Sequence, residues 1–203
     1  MILNPIPSLI QKAFPSNVVW KMPTNEKSIY LTFDDGPVPQ ATPWVLRLLE
    51  TYQIKATFFM VGENVVKYPD IKSEVEIQGH SIGNHSFNHL NGWKTENLDY
   101  FQNIDKAAPL TSDKLFRPPY GRITRQQIKI ISQQYKIVLW SLLSEDYKTD
   151  KNPKEIVNNI TKHCQPGTII VFHDNPKAMN NLTQTLPPFI DFALKNGYKF
   201  SAF

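Results

Sequence analysis

Two adjacent carboxylates stand at the end of a short apolar strand near the start of the chain. Residues 28–33 alternate apolar and polar side chains, which predicts a buried strand, and Asp34, Asp35 and the Gly36-Pro37 turn follow directly. Two neighbouring acids repel each other unless a cation or an arginine offsets their charge. One of them could therefore bind a metal ion while the other moves protons. The same residues also fit a simple acidic turn.

A pair of histidines offers nitrogen ligands for such a metal. His85 and His89 are four residues apart, just after the third predicted strand. This spacing predicts two imidazoles on one side of a helical turn, an arrangement that binds transition metals. Together with Asp35 at another strand end, the set supplies two nitrogens and one oxygen. That set suits zinc, with one coordination position left open for water or substrate.

Arg117 precedes a double proline and Tyr120, in the segment after the fourth predicted strand. The prolines keep this backbone out of helix, which predicts a rigid loop. A guanidinium at the base of the loop could clamp Asp34 bidentately and so hold that carboxylate oriented. The alternative is a purely structural salt bridge for Arg117, with Tyr120 lining the core.

His173 ends a predicted strand whose dense β-branched residues indicate burial on both faces. Its ring is therefore well placed for proton transfer. Asp146, in the loop after the fifth predicted strand, is expected to hydrogen-bond this ring and keep it protonated. The remaining histidines, His80 and His163, occur in helix or helix-end positions without a partner pattern, and we interpret both as structural.

The elements expected to position these residues alternate along the chain. Seven strands are predicted, with helices between them, at 28–33, 56–60, 81–83, 115–116, 137–141, 168–172 and 198–200. Such alternation predicts a parallel sheet, open or closed into a barrel, with functional groups at the carboxyl ends of the strands. Thr42 is predicted to cap the first helix, and a second helical stretch to cover about 62–78. The last helix, about 177–196, is predicted to break at Pro187-Pro188.

The composition is that of one globular domain. The 203 residues are 41% hydrophobic and 20% charged, and the net charge of +4 comes from scattered lysines, which argues against nucleic acid as a partner. We expect residues 1–26 to form an N-terminal extension that packs on the domain at 27–203. Residues 8–14 are predicted to form helical turns that cap the core, with weak membrane association as the alternative. No pattern indicates an oligomeric state.

Several other classes fit the sequence poorly. A phosphate-binding glycine loop is absent, and Ser86 lacks the nucleophile elbow of a serine hydrolase. The N-terminus lacks the basic and long apolar regions of a secretion signal, and no segment is long enough to span a bilayer. The default expectation is therefore a cytoplasmic or membrane-peripheral protein. The single cysteine, Cys164, is expected in the core and excludes an intramolecular disulfide.

Five segments resemble the motifs of the NodB-like polysaccharide deacetylases, carbohydrate esterase family 4. In the order of the family's motifs they are residues 32–37, 85–89, 117–120, 140–147 and 171–173. This resemblance implies a distorted (β/α) barrel of about seven parallel strands. It also implies a metal-dependent hydrolase that removes acetyl groups from N-acetylated amino sugars, in a chitin oligomer, peptidoglycan or a related glycan.

By this resemblance, the ligands of the metal are Asp35, His85 and His89. Zinc is the usual ion in the family, and cobalt, nickel or another divalent ion is the alternative. Asp34 is then the general base for a water molecule activated by the metal, and Arg117 orients Asp34.

The resemblance also implies a general acid and a substrate pocket. His173, tuned by Asp146, would protonate the leaving amine. The backbone N–H of Tyr120 would stabilise the oxyanion of the tetrahedral intermediate. Tyr147 and Val171 would line the pocket for the substrate.

Three positions depart from the family's pattern. Leu143 stands where many members have an aspartate, Tyr147 replaces a tryptophan, and Val171 replaces a common leucine. These changes affect the expected fit of the substrate, whereas the acid and the base are kept. Two other hypotheses therefore stay open: an O-acetyl esterase acting on acetylated xylan or a similar glycan, and a carbohydrate-binding protein without catalytic activity.

Overall fold

The computed structural model describes residues 5–7, 9, 11, 14–112 and 114–203. In this part of the chain, nine strands form one sheet in which every strand-to-strand pairing is parallel. The strands are β1 (Val18–Val19), β2 (Ser28–Asp34), β3 (Thr57–Met60), β4 (Ser81–Asn84), β5 (Leu115–Phe116), β6 (Lys136–Val138), β7 (Leu142–Leu143), β8 (Ile169–His173) and β9 (Lys199–Ser201).

The strand order is β1-β6-β5-β4-β3-β2-β8-β7, and β9 pairs with the start of β2. With the helices that surround it, the curled sheet forms a distorted (β/α) barrel, as predicted. The seven predicted strands are present, six of them with shifted ends, and β1 and β7 are additional. Both additions are only two residues long, too short for an alternating pattern to reveal them. The strand predicted over 137–141 ends at Val138, and the chain then crosses to β8 to form β7.

Seven α-helices connect the strands in the described part of the chain. They are α1 (Thr42–Thr51), α2 (Gly62–Lys67), α3 (Pro69–Ile77), α4 (Asn97–Ala107), α5 (Arg125–Ile131), α6 (Pro153–His163) and α7 (Met179–Lys195), with 3₁₀ turns at Ala108–Leu110 and Pro119–Gly121. Of the helices in the described part of the chain, none has the length and apolar character that crossing a membrane requires.

The helical stretch predicted over about 62–78 is confirmed as two helices, because Pro69 starts a new helix after Tyr68. Two other helix predictions are wrong. Thr42 is the first residue of α1 rather than its cap, and its hydroxyl instead bonds Val38 N–H (2.9 Å) and Asp174 Oδ2 (2.6 Å).

The second error concerns α7, which continues without a break through its two prolines. An internal proline costs a helix about 3 kcal/mol or more. The apolar face of α7 offsets this cost, because five of its side chains are completely buried in the core. They are Leu182, Leu186, Phe189, Ile190 and Ala193.

The core lies on both faces of the sheet. Along β2, Ile29, Leu31 and Phe33 point into a cluster with α1, α6 and α7. On β3 and β8, the alternate residues Phe59 and Val171 belong to a second cluster inside the barrel. The strands are thus buried on both faces, as in other parallel sheets, and their polar exits gather at one edge.

The predicted N-terminal extension is described only in part. Residues 1–4, 8, 10, 12 and 13 lie outside the described residues, so the helical turns at 8–14 and the packing of 1–26 on the domain stay a prediction. Within the described part, Ile6 N–H donates to Ser141 O (3.2 Å), and β1 pairs with β6.

Candidate active site

A cleft of about 660 Å³ opens at the carboxyl edge of the sheet. Eight of the predicted site residues line it: Asp34, Asp35, His85, His89, Tyr120, Tyr147, Val171 and His173. Arg117 and Asp146 are completely buried and contact two of those residues directly. The structure therefore brings all ten predicted residues together.

The two carboxylates at the carboxyl end of β2 lie in different backbone conformations. Asp34 is the last residue of the strand and is 4% exposed. Asp35 has a φ of 83°, a left-handed conformation that redirects the chain immediately after the strand. In the ladder between β2 and β8, the register partner of Asp34 is His173. The predicted base and the predicted acid therefore stand side by side on neighbouring strands.

Gly36 is required by close packing against Asp174. A Cβ at residue 36 would lie 2.1 Å from Asp174 Oδ2, and Gly36 N–H donates to Asp174 Oδ1 (3.1 Å). Burial raises the pKa of Asp174 to about 8, although the hydrogen bond to Thr42 acts in the opposite direction. This buried carboxyl anchors the turn that carries both site acids.

Arg117 holds Asp34 with one hydrogen bond rather than two. Its Nη1 donates to Asp34 Oδ1 (2.7 Å) and to Thr32 Oγ1 (2.8 Å). The predicted bidentate clamp is wrong within the described part of the chain, because Nε and Nη2 donate to the carbonyls of Val138 (3.1 Å) and Leu139 (3.2 Å). Each of the three nitrogens of the buried guanidinium thus has a hydrogen-bond partner, which fixes the carboxylate that Arg117 holds.

The three predicted metal ligands converge on one point. Asp35 Oδ1 lies 3.1 Å from His89 Nε2 and 3.6 Å from His85 Nε2, and one donor atom from each residue lies within 4.8 Å of the others. The Nδ1 of His85 is 2.8 Å from Arg117 O, and because a carbonyl only accepts, Nδ1 must carry the proton. Burial lowers the pKa of His85 to about 4, although the negative charge of Asp34 acts to raise it. Its Nε2 lone pair is therefore free, and the set fits a divalent cation such as zinc.

The loop that carries the histidines is not a helical turn, so that prediction is wrong. Ser86 and His89 have φ values of 62° and 56°, and the segment is irregular. Side-chain amides take the place of helical hydrogen bonds here. Asn84 Oδ1 accepts from Ser86 N–H (2.8 Å), and Asn103 Oδ1 accepts from the next two backbone N–H groups (2.8 and 3.0 Å). Amide acceptors from β4 and α4 therefore bring the two imidazoles together.

Asp35 has two amide partners that the sequence pattern did not indicate. Asn175 Nδ2 donates to its Oδ2 (2.7 Å), and Asn64 Nδ2 donates to its backbone carbonyl (2.8 Å). Burial raises the pKa of Asp35, yet the bond from His89 and the charges of the neighbouring histidines hold it below the ordinary value. The only sequence signal for Asn175 was its place two residues after His173, at a strand end.

The buried carboxylate of Asp146 holds His173 in place. Asp146 accepts from the ring Nδ1 (2.8 Å) through one oxygen and from His173 N–H (2.8 Å) through the other. Ser144 Oγ also donates to Asp146 (2.8 Å), and Asn181 Nδ2 donates to its carbonyl (3.0 Å). Neither supporting residue was predicted, since a single hydroxyl or amide has no characteristic spacing.

The charges around His173 favour its protonated form. Burial alone lowers the pKa of His173, but the charge and hydrogen bond of Asp146, joined by the two carboxylates of the β2 exit, raise it to about 9. With Nδ1 bonded to Asp146, the second ring N–H remains available on the cleft side. At neutral pH these contacts therefore favour the protonated ring of His173.

Aromatic side chains form the walls of the cleft. The ring of Tyr120 meets His89 edge-on at 4.6 Å, and the ring of Tyr147 meets His173 in the same way at 4.9 Å. Tyr120 is 54% exposed, so the alternative that it lines the core is wrong. Val171 and Leu143 are buried and give the cleft an apolar surface between these walls.

Two cations and a further aromatic residue also line the cleft and were not predicted. Arg122 lies 5.4 Å above the ring of the exposed Trp93, and Lys177 lies 5.9 Å above the ring of Tyr147. Exposed aromatic rings of this kind offer flat apolar faces to a ligand. Taken together, the cleft combines a metal-ligand set, a carboxylate and an imidazolium, which are the components of metal-assisted hydrolysis with a separate base and acid.

Comparisons with known proteins place the chain among deacetylases. A family model described as polysaccharide deacetylase matches residues 21–136. A peptidoglycan-N-acetylglucosamine deacetylase of Bacillus cereus is 39% identical over 195 residues, which cover 90% of this chain and 89% of that protein. A chitooligosaccharide deacetylase of Azorhizobium caulinodans is 33% identical over 158 residues, covering 74% of this chain and 75% of that protein.

The fold is similar as well. A crystal structure of a peptidoglycan N-acetylglucosamine deacetylase in complex with 4-naphthalen-1-yl-N-oxidanyl-benzamide has a TM-score of 0.89 with this chain, at 30% identity. The match covers 98% of this chain and 95% of that one.

Proposed function

Because this chain belongs to the polysaccharide deacetylase family, we propose that it is a metal-dependent hydrolase that removes acetyl groups from N-acetylated amino sugars. Its substrate would be a peptidoglycan strand, a chitin oligomer or a related glycan, as the names of its relatives indicate for those proteins. One observation carries the proposal. A carboxylate and an imidazolium occupy register positions on adjacent strands, beside three converging metal donors.

Asp35, His85 and His89 would hold the divalent metal. When bound, such a cation polarises the acetyl carbonyl and lowers the pKa of water towards neutrality. The second oxygen of Asp35 is taken by Asn175, and the second nitrogen of His85 by Arg117 O, so these two ligands each present one defined atom.

Asp34 would act as the general base. Its Oδ1 is held by Arg117, and its Oδ2 lies 4.0 Å from His85 Nε2, on the side of the metal donors. Oδ2 is therefore the oxygen that would accept the proton of the attacking water. A base within hydrogen-bond reach of its proton typically contributes about 10²–10⁴ in rate.

His173 would act as the general acid. The amine leaving group of an amide is a poor one unless its nitrogen is protonated as the bond breaks. The raised pKa of His173, about 9, supplies that proton at neutral pH. Arg117 pairs with Asp34 and Asp146 pairs with His173, so the base and the acid each have their own partner of opposite charge.

Tyr120 and the apolar residues would position the acetyl group. The backbone N–H of Tyr120 would donate to the developing oxyanion, from a residue whose φ of 61° is set by the turn at Pro119–Gly121. Leu143 and Val171 would pack against the acetyl methyl, with Tyr147 as one side wall. Leu143 is apolar, whereas many members of the family have an aspartate at this position, so this surface favours an apolar group.

The proposal is tested with Asp34→Asn. We expect acetate release from peptidoglycan or chitin oligomers to fall by about 10²–10⁴, because the amide cannot accept the proton. Metal content by elemental analysis should stay unchanged, whereas the thermal unfolding midpoint should fall because the buried Arg117 loses its charged partner, so activities are compared where both proteins are folded. Asp70→Asn, at an exposed acid on α3, is the matched control and should keep full activity. Activity of Asp34→Asn equal to that of the unaltered chain would remove Asp34 as base.

A substrate screen separates the remaining hypotheses. Acetate release from acetylated xylan without release from any amino sugar would replace the proposal by an O-acetyl esterase. Binding of glycans with neither bound metal nor acetate release would identify a carbohydrate-binding protein instead.

A further inference from the structure

We propose that Asn175 is a positioning residue that selects which oxygen of Asp35 faces the metal and thereby sets the metal affinity of the site. The proposal rests on the proposed function in one respect, since it takes Asp35, His85 and His89 as the ligands. Asn175 belongs to none of the motifs described above.

The contacts of the Asp35 carboxylate are divided between its two oxygens. Oδ1 lies 3.1 Å from His89 Nε2 and 3.6 Å from His85 Nε2. Oδ2 accepts from Asn175 Nδ2 at 2.7 Å. A carboxylate on a short side chain can otherwise rotate and exchange its oxygens. The amide therefore holds one oxygen and leaves the other directed at the histidines.

Asn175 is itself held in one orientation. Its Oδ1 accepts from the backbone N–H of Ala178 at 2.9 Å, just before α7. An N–H only donates, so the carbonyl end of the amide must face Ala178 and the NH₂ end must face Asp35. Flipping the amide would break both bonds at once. The contact with Ala178 at the start of α7 thus determines that Asn175 presents its NH₂ group to Asp35.

The backbone on both sides is tied together as well. Asp174 N–H donates to Asp34 O (3.2 Å), and Asp174 accepts from Gly36 N–H (3.1 Å) and from Thr42 (2.6 Å). The exits of β2 and β8 are therefore connected by hydrogen bonds on either side of the contact between Asp35 and Asn175. Their relative position does not depend on the metal, so the ligand oxygen is prepared before a cation arrives.

A second asparagine provides a matched comparison. Asn64 Nδ2 also donates to Asp35, but to its backbone carbonyl (2.8 Å). Asn64 supports the turn without choosing between the carboxylate oxygens. If orientation of the carboxylate is what matters, loss of Asn175 must weaken metal binding more than loss of Asn64. Partners of this kind typically contribute about 10–100-fold in metal affinity.

The test measures zinc binding by the full chain after removal of metal, by competition with a chromophoric chelator. Asn175→Leu keeps the approximate shape and removes the donor, and Asn175→Ala is the second variant in case the first folds poorly. We expect zinc affinity to fall about 10–100-fold in both and less than about threefold in Asn64→Ala. The visible absorption of the cobalt-loaded protein should change with Asn175→Leu, because the geometry at Asp35 changes.

Three outcomes would overturn the inference. The first is zinc affinity within twofold of the unaltered chain in both Asn175 variants. The second is an equal loss in Asn64→Ala, which would indicate general support of the turn. The third is an unaltered chain that does not bind zinc, and this result alone would also contradict the metal site of the proposed function. Acetate release is not measured here, so a wrong substrate leaves the test unaffected.

Discussion

The two sides of the cleft are built in different ways. On the metal side, the backbone of Asp35, Ser86 and His89 is left-handed, and asparagine side chains hold the loops. On the acid side, His173 is the last residue of a regular strand, and one buried carboxylate binds both its ring and its N–H. On the metal side, three metal-ligand atoms are directed at one another. On the acid side, the charge of the histidine is paired with that of the buried carboxylate.

Under the proposed function, this difference separates the roles of cation and protein. Ligand atoms that converge without a cation repel or hydrogen-bond one another, so the metal side would reach its working state only with a cation bound. The ion pair of His173 and Asp146 needs no cation, because its complete hydrogen bonds offset the cost of burying the two charges. Each side should therefore respond to a different perturbation.

Metal removal should give the largest effect. Treatment with a chelator is expected to reduce acetate release by at least about 10³-fold, and added zinc should restore it. Saturating zinc at about 100 times its dissociation constant should stabilise the fold by about 2.7 kcal/mol, visible in the thermal unfolding midpoint.

The same metal-free protein provides the contrast with the acid side. His173 should remain protonated at pH 7 when its ring is followed by NMR, because Asp146, and after it the charges of Asp35 and Asp34, raise its pKa without a cation. An ordinary pKa for His173 after chelation would show that the two sides are not independent.

Asp146→Asn should give an intermediate effect, confined to the acid side. Without the carboxylate, burial dominates and the pKa of His173 falls. The acid form is then lost at lower pH, so the alkaline limb of the kcat profile should move from about 9 towards lower pH, with a loss of about 10²-fold at neutral pH. Zinc affinity should be unchanged, and Asp150→Asn at an exposed site is the matched control.

The stability of the same variant has a defined sign. A pKa raised from 6.5 to about 9 stabilises the folded state fully below 6.5, and this contribution is lost as pH rises through about 9. The free energy of unfolding of the unaltered chain should therefore fall by on the order of 1–3 kcal/mol more than that of Asp146→Asn across this range. Equal slopes in chemical denaturation would contradict the pairing.

Asn103→Ala should give the smallest effect, confined to the metal side. It removes the acceptor for two N–H groups in the histidine loop, each worth about 1 kcal/mol. We expect zinc affinity to fall a few-fold, with no change in the pKa of His173. Gln102→Ala, an exposed position on the same helix, is the control. A shifted pH profile would indicate that the loop acts on both sides.

The sequence predicted the kind of fold and the members of the site better than their local geometry. Alternating strands and helices sufficed for a parallel sheet, and the strand at Leu115–Phe116 was predicted with its observed bounds. Continuation of α7 through Pro187 could not be predicted, because tertiary burial of its apolar face outweighs local propensity. The helical turn at His85–His89 failed for a related reason, since amides distant in sequence replace its backbone hydrogen bonds.

The supporting residues were missed because nothing local marks them. Asn175 contacts Asp35 across 140 positions of sequence, Asn181 donates to the carbonyl of Asp146, and the hydroxyl of Ser144 bonds both the carboxylate and the N–H of Asp146. Asn and Ser are common loop residues, and their side chains orient a site residue only when that residue lies within hydrogen-bond distance, about 3 Å. Arg117 shows the same limit, because its predicted partner was right and its predicted bonding pattern was wrong.

The sequence by itself determined which chemical groups meet. Polar residues after parallel strands must share one edge of the sheet, so Asp34, Asp35 and His173 were bound to lie together. Tertiary structure alone decided how they are used. The oxygen that Asp35 presents, the single bond between Arg117 and Asp34, and the raised pKa of His173 depend on long-range hydrogen bonds and on burial. These are properties of distances in space, which the order of residues along the chain does not specify.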